Sequence, residues 1–252
     1  MEENENIYDK IKELFGAVPG QYSVLEEQID IDLQMKYFEF SREMKIDLEP
    51  EEVMDESENL FKDDVEPEYK KELLAKLASV ERVEAFRIIE RFLHDPPEGL
   101  KEWGLLAFQE SKMLLESKIL DENQVFISTG LGGKGDKLRY FVVLIGSMPE
   151  HFTDSQKMII RNEFELILKK YDAEVEDYNF SGSLATVKAV VPMNVTIKSV
   201  FEEAIEHCNE YGDFLIPNFI ITNVKELTFK EIRDFLDKQR LKKDEAEEED
   251  FF

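Results

Sequence analysis

Apolar positions follow a helical rhythm through the first half of the chain and a strand rhythm through much of the second. Between Pro50 and Leu120 they recur every three or four residues, in units separated by short breaks such as "DPP" at 95–97. Helices of this length joined by tight breaks pack as antiparallel pairs. The pattern predicts a helical domain over residues 49–122.

The segment that precedes this domain has two possible secondary structures. At residues 1–48, the spacing of Ile7, Ile11 and Leu14 predicts a short amphipathic docking helix. Residues 29–40 alternate apolar and polar side chains, as a half-exposed strand does. Their glutamate, glutamine, methionine and lysine favour a helix equally well, so both structures remain open.

The hydrophobic rhythm changes near Gln124. "QVFIST" and "LRYFVVLIGS" predict strands on either side of a glycine-rich loop, and Thr153 with Gln156 has the spacing of a capping box at the start of a helix. A hairpin, a helix, a strand and a last helix follow. This order predicts an α/β domain over residues 123–243.

Residues 67–120 resemble HEAT-type helical repeats. They show an apolar first helix, a break at "HDPPEG" and a second helix beginning "LKEWGLLAFQES". The resemblance implies a concave protein-binding surface and no chemistry. An ordinary helical bundle is the alternative, because no self-similarity with a period of about 40 residues is found upstream.

Residues 138–222 have the order β-α-β-β-α-β and resemble a ferredoxin-like sandwich with both helices on one face of the sheet. The strand predicted at 124–129 does not fit, because the first core strand of that topology is already paired on both sides. Either this hairpin projects from the sheet, or two hairpin-helix units lie side by side. The predicted fold class is α+β, with a helical (HEAT-like or bundle) first half and a ferredoxin-like or two-hairpin α/β sandwich.

The charge of the chain narrows the range of partners. Its net charge is −26, and residues 1–64 contain 20 acidic side chains against 6 basic ones. Such a surface repels nucleic-acid phosphates and anionic lipids. We therefore expect protein partners, and neither direct nucleic-acid binding nor membrane binding.

The cellular setting follows from what the sequence lacks. No apolar run is long enough to span a bilayer and no secretion leader is evident, so the expected location is cytoplasmic. The only cysteine, Cys208, has no partner for an internal disulfide, in agreement with a reducing compartment.

The stretch "GLGGKGDK" at residues 130–137 has the composition of a phosphate-binding loop but not its context. A strand follows where such loops need a helix, and no serine or threonine follows either lysine. We predict a hairpin turn in which Gly133, Gly135 and their neighbours can adopt positive φ angles.

A basic cluster adjoins this turn in an otherwise acidic chain. It consists of Lys134, Lys137 and Arg139. Together with the exposed backbone of the turn, the cluster is the candidate contact for a small anionic ligand or a partner.

The remaining candidates for chemistry fail on spacing. His207 and Cys208 are adjacent and so point to different faces of a helix, and the three histidines have no shared helix face for a metal. "DIDLQ" at 30–34 lacks the glycine and the glutamate of a calcium loop. We predict no catalytic residue, no cofactor and no metal, with Cys208 packed in a core.

The last nine residues, "DEAEEEDFF" at 244–252, are predicted to be a disordered acidic tail. They resemble the carboxy-terminal peptide of bacterial single-stranded-DNA-binding proteins, although the usual isoleucine-proline is absent. The resemblance implies docking of Phe251 and Phe252 in a partner's pocket. A solubilising tail is the alternative.

These observations lead to two functional hypotheses. The first is a non-catalytic cytosolic protein-interaction or adaptor protein whose acidic, helical half docks partners. The alternative is a regulatory module that binds a small anionic ligand through its α/β domain, near the basic cluster.

Overall fold

The computed structural model describes residues 22–46, 48–120 and 125–249, and the chain divides after Asp136 into two compact units. The elements of the first unit are β1 (Tyr22–Val24), α1 (Ile31–Met44), α2 (Pro50–Glu56), a 3-10 helix (Ser57–Phe61), α3 (Pro67–Ala78), α4 (Val83–Phe92), α5 (Lys101–Leu120), β2 (Val125–Ile127) and β3 (Gly133–Lys134).

The second unit contains all the long strands. Its elements are β4 (Lys137–Ile145), α6 (Asp154–Lys170), β5 (Glu174–Ser181), β6 (Leu184–Pro192), α7 (Ile197–Asn209), β7 (Ile220–Thr222) and α8 (Phe229–Glu249). A helical first half followed by an antiparallel sheet in the second half confirms the predicted α+β class.

Residues 31–44 form a helix, which decides the question left open for 29–40. The Asp30 carboxylate caps the helix by accepting hydrogen bonds from the backbone N–H groups of Asp32 and Leu33, at 2.9 and 3.2 Å. The buried residues Gln34, Tyr37 and Ser41 recur every three or four positions. The apparent period of two came from acidic residues at the cap and first turn.

The division into units differs from the one predicted from the sequence. Leu25, Ile29 and Tyr37 share one core with Leu73 and Leu77, so the described part of 1–48 is not a separate docking segment. The predicted amphipathic helix at Ile7–Leu14 lies outside the described residues.

The strand predicted at 124–129 belongs to the helical unit. β2 pairs in parallel with β1, with Tyr22 opposite Val125 and Val24 opposite Ile127. The loop that follows returns to the same region, because Gly132 lies against the backbone of Glu26 and Glu27. The boundary therefore lies at Asp136 rather than near residue 123.

The second unit has the element order β-α-β-β-α-β. β4 pairs antiparallel with β6 along its whole length, from Lys137 opposite Pro192 to Ile145 opposite Leu184. β7 pairs with β4 and β5 pairs with β6, both antiparallel, giving the strand order β7-β4-β6-β5. β5 and β6 are joined by a tight hairpin, whereas β4 pairs with β6 and with β7, neither of which follows it directly in the chain. This strand order resembles the ferredoxin-like alternative more than two hairpin-helix units side by side.

One face of this sheet and the two helices α6 and α7 form a single core. Val142 and Val187 contribute from the strands, Phe164 from α6 and Phe201 from α7. The capping box predicted at the start of α6 is present, since Gln156 N–H donates to the Thr153 hydroxyl and Thr153 N–H donates to the Gln156 side chain.

The last helix continues farther than the sequence predicted. α8 ends at Glu249, so residues 244–249 of the predicted disordered tail are helical. Their glutamates, alanine and the two preceding lysines are strong helix formers, and this propensity outweighs the acidic composition. Phe251 and Phe252 lie outside the described residues.

Gly132 and Gly135 make a matched pair for testing the loop. Both have positive φ, at +67° and +63°, but a Cβ on Gly132 would lie 2.5 Å from the carbonyl oxygens of Glu26 and Glu27, whereas a Cβ on Gly135 meets nothing within 4 Å. We expect Gly132→Ala to lower the free energy of unfolding by on the order of 3 kcal/mol and Gly135→Ala by about 1–2 kcal/mol.

Urea unfolding followed by the fluorescence of Trp103, the only tryptophan, measures this difference in the helical unit. Equal losses in the two variants would contradict the close approach at Gly132.

Candidate functional site

Two cations of the basic cluster beside the glycine turn, Lys137 and Arg139, pair with carboxylates of the second unit. The Lys137 ammonium donates to the Asp172 carbonyl and lies 3.2 Å from the Asp172 carboxylate and 3.9 Å from that of Glu174. The Arg139 guanidinium forms a two-point contact with Glu176, at 2.5 and 2.9 Å. Both cations are therefore already committed to carboxylates.

The two cationic side chains are largely buried, with Lys137 13% and Arg139 17% exposed, whereas the Asp172 carboxylate that pairs with Lys137 is 86% exposed. An incoming anion would have to displace a carboxylate from each cation. Lys134 lies in β3 with an exposed side chain, and Gly133 is buried beside it. The geometry gives no preference to an anion at this cluster.

Glycines in the loop do turn the chain, although not both of those named from the sequence. Gly132 and Gly135 have positive φ, whereas Gly133 does not. Gly135 N–H also donates to the Glu26 carboxylate at 3.0 Å. The loop is thus held by the first unit through its backbone rather than arranged around an empty anion site.

The helical unit contains a buried carboxylate that the sequence did not single out. Glu110 on α5 has a side chain only 5% exposed. It accepts hydrogen bonds from the Tyr37 hydroxyl at 2.6 Å and from the Ser41 hydroxyl at 2.8 and 2.9 Å, and it pairs with the Lys45 ammonium at 2.7 Å. The three partners lie four residues apart, on one face of α1 and at its end.

This arrangement shifts the ionisation of the phenol. Burial, the negative charge of Glu110 and the hydrogen bond to it together hold the pKa of Tyr37 well above its ordinary value. The phenol therefore remains a hydrogen-bond donor, and its ring packs edge-on against Trp103 with centroids 5.1 Å apart. The network joins α1 to α5 through hydrogen bonds and an ion pair.

A groove with an acidic rim lies where α1 ends and α2 and α3 begin to pack. Its volume is about 320 Å³, and we call it the acidic groove. It is lined by Glu43, Met44, Ile46, Leu48, Glu49, Glu52, Val53, Glu56, Glu72 and Lys76.

The acidic groove combines exposed apolar surface with uncompensated charge. Ile46 is 71% exposed and Val53 is buried, and both line the groove. The single cation of the lining, Lys76, is paired with Glu72 at 2.5 Å. Glu43, Glu49 and Glu52 form no side-chain hydrogen bond or ion pair with any described residue. The groove therefore presents several free carboxylates around an apolar floor.

The sequence signal for this groove was the density of acids rather than any motif. Residues 1–64 hold 20 acidic side chains, and the groove gathers four of them with Glu72 from α3. The buried Glu110 had no such signal, because its neighbours in the sequence do not show that α1 packs over it.

Cys208 and the possible metal and membrane features considered in the sequence can each be compared with the structure. Cys208 is fully buried in the core of the second unit, and burial raises the pKa of its thiol to about 12. Within residues 22–46, 48–120 and 125–249, no group of histidine, cysteine or acidic side chains has the geometry of a metal site. In the same described part of the chain, no helix combines the length and apolar character needed to cross a bilayer.

Comparisons with known proteins identify no family. No protein-family description and no curated protein match the sequence. One solved structure that matches is a REP-associated tyrosine transposase bound to a REP hairpin, at 12% identity and a TM-score of 0.31. The match covers 39% of this chain and 62% of that chain, which is less than two thirds of it. A similarity at this level carries no inference about activity or partners.

The buried network predicts a distinct response to alkali. Tyr37 keeps its proton in the folded state at a pH where an unfolded tyrosine, with a pKa near 10, has lost it. The folded state then binds more protons than the unfolded state, so the free energy of unfolding falls as pH rises above about 10, by up to about 1.4 kcal/mol per pH unit.

Tyr37→Phe removes both the hydrogen bond and this titration. We expect it to cost about 1–3 kcal/mol at pH 8, and we expect the gap to the wild type to narrow by pH 11. Urea unfolding followed by Trp103 fluorescence at both pH values measures the difference in free energy of unfolding between Tyr37→Phe and the wild type. The control is Tyr211→Phe, which changes a tyrosine that is 64% exposed. A constant gap between pH 8 and pH 11 would exclude a buried, protonated Tyr37.

Proposed function

We propose that this protein is a non-catalytic protein-interaction protein whose acidic groove binds a basic, partly apolar segment of a partner. The observation that supports the proposal is the groove itself: the exposed Ile46 shares its lining with Glu43, Glu49 and Glu52, whose carboxylates have no cationic partner within the described residues. Exposed apolar surface with a polar rim is typical of an interaction site.

The chemistry of the groove selects the chemistry of its occupant. Burying Ile46 and its apolar neighbours favours a large apolar side chain, worth about 1.5–3 kcal/mol when fully buried. The surrounding carboxylates favour lysine or arginine on either side of it. Each exposed ion pair adds only about 0–1 kcal/mol, but together such pairs speed association and set specificity.

The same electrostatics favour a protein partner over the other macromolecules. A net charge of −26 repels the phosphates of nucleic acids and of anionic lipids. A cytoplasmic setting remains a prediction from the sequence. The anionic-ligand hypothesis has no observation in its favour, since Lys137 and Arg139 are paired with carboxylates.

A defined probe tests the proposal: a 16-residue amphipathic peptide with leucines on one face and lysines on its flanks, compared with an analogue in which glutamates replace the lysines. Fluorescence anisotropy of the labelled peptide measures its affinity for the full chain. We expect the lysine-containing peptide to bind and the glutamate analogue not to bind. The affinity of the lysine-containing peptide should fall as the NaCl concentration rises from about 50 to 500 mM.

Two double variants with equal net charge separate the groove from general attraction. Glu49→Lys/Glu52→Lys reverses two charges in the groove, whereas Glu98→Lys/Glu206→Lys reverses two exposed charges outside it. We expect the first to weaken binding about tenfold or more and the second at most about twofold. Equal weakening by both would mean that the peptide responds to net charge and not to this groove.

A further inference from the structure

A second hollow lies farther along α1 and α3, two of the helices that line the acidic groove. Its volume is about 480 Å³, and Leu33 and Phe40 of α1, with Trp103 of α5, supply its apolar wall. We call it the aromatic hollow. It differs from the acidic groove in that two aromatic side chains, Phe40 and Trp103, belong to its lining.

The rings of the aromatic hollow are held in place by contacts within the unit. The Trp103 indole N–H donates to the Lys71 carbonyl at 3.0 Å, and the Phe40 ring meets the Trp103 ring edge-on with centroids 5.6 Å apart. Trp103 is itself only 6% exposed. A hollow whose walls are fixed in advance loses little conformational entropy when it binds a side chain.

The two sites are adjacent along α1 and α3. Glu43 lines both of them. On α3, Glu68 and Lys71 line the aromatic hollow, and Glu72 and Lys76 line the acidic groove. Advancing along either helix leads from one site to the other, and at a rise of 1.5 Å per residue their centres are roughly 7–10 Å apart.

The charge changes along this path. The acidic groove carries five glutamates against one lysine. The aromatic hollow carries three glutamates against Lys36 and Lys71, and Lys71 is paired with Glu68 at 2.7 Å. A ligand that follows the path therefore meets an aromatic, nearly balanced site at one end and a strongly negative site at the other.

Resting on the proposed function, we infer that the aromatic hollow and the acidic groove together bind one amphipathic helix of the partner. A large apolar side chain of that helix occupies the aromatic hollow, and its basic residues lie about two turns away, over the acidic groove. Most residues that line the path belong to α1, α2 and α3, and none belongs to a strand that could pair with an extended segment. A helix satisfies its own backbone hydrogen bonds and fits such a surface.

The spacing of anchor and charge in the bound helix is the testable content. Residues seven apart lie on the same face of a helix, because seven steps of 100° return to within about 20° of the start, whereas five steps end about 140° away. Two synthetic helical peptides of identical composition carry a leucine anchor and an arginine pair separated by seven residues in one and by five in the other.

Binding of both labelled peptides to the full chain is measured by anisotropy in the wild type, in Leu33→Ala and in Leu105→Ala. Leu105 is a half-buried leucine of the same unit that lines neither site, and its variant controls for general loosening. We expect the seven-residue spacing to bind wild type at least about tenfold more tightly than the five-residue spacing. Leu33→Ala should reduce this preference about five- to tenfold, and Leu105→Ala should preserve it.

The outcomes separate this inference from the proposed function. Equal binding of both peptides to the wild type, with both lost in Glu49→Lys/Glu52→Lys, would overturn the two-site helix and leave the acidic groove as a binding site. Binding that is insensitive to Glu49→Lys/Glu52→Lys would overturn both. A spacing preference that Leu105→Ala removes as fully as Leu33→Ala would overturn the assignment of the anchor to the aromatic hollow.

Discussion

The buried carboxylate of Glu110 is the constraint on which the helical unit depends. Removing a charge from water costs several kcal/mol unless donors replace the lost solvation. Tyr37, Ser41 and Lys45 supply those donors from one face of α1 and the residue at its end. Because the donors recur every four residues, only one rotation of α1 about its axis satisfies the carboxylate, and that rotation sets which side chains face outward.

The candidate binding surface lies on α1 beside this network. With Tyr37 and Ser41 turned toward α5, Leu33 and Phe40 lie toward Trp103, and Glu43 lies between the aromatic hollow and the acidic groove. The groove is therefore a consequence of how a buried polar network orients a helix. The carboxylates of Glu49 and Glu52 form no hydrogen bond or ion pair with any described residue, so these contacts within the unit do not use their charge.

Local signals in the sequence predicted the elements better than their arrangement. The capping box at Thr153 and the helical spacing from Pro50 onward act over a few residues, and both are confirmed. For residues 29–40, the cap at Asp30 was the decisive signal, and an alternating pattern of acids concealed it. The extent of α8 was underestimated, because acidic composition was weighed above helix propensity.

Contacts between distant segments could not be read from the chain. The parallel pairing of Tyr22–Val24 with Val125–Ile127 joins residues about a hundred positions apart, and nothing local encodes it. The carboxylates that neutralise Lys137 and Arg139 likewise reach them only through the register of β4, β6 and β5. The sequence alone therefore does not show that Lys137 and Arg139 form ion pairs with carboxylates brought to them by the sheet.

Amide hydrogen exchange in the Glu110→Ala variant tests most directly whether this carboxylate fixes α1. The account predicts that amides of residues 35–44 lose protection by about tenfold or more, which corresponds to about 1.4 kcal/mol, while those of 83–92 keep theirs. Glu116→Ala, a change of the same kind on the same helix, should leave residues 35–44 protected as in the wild type. Unchanged protection of 35–44 in Glu110→Ala would contradict the account.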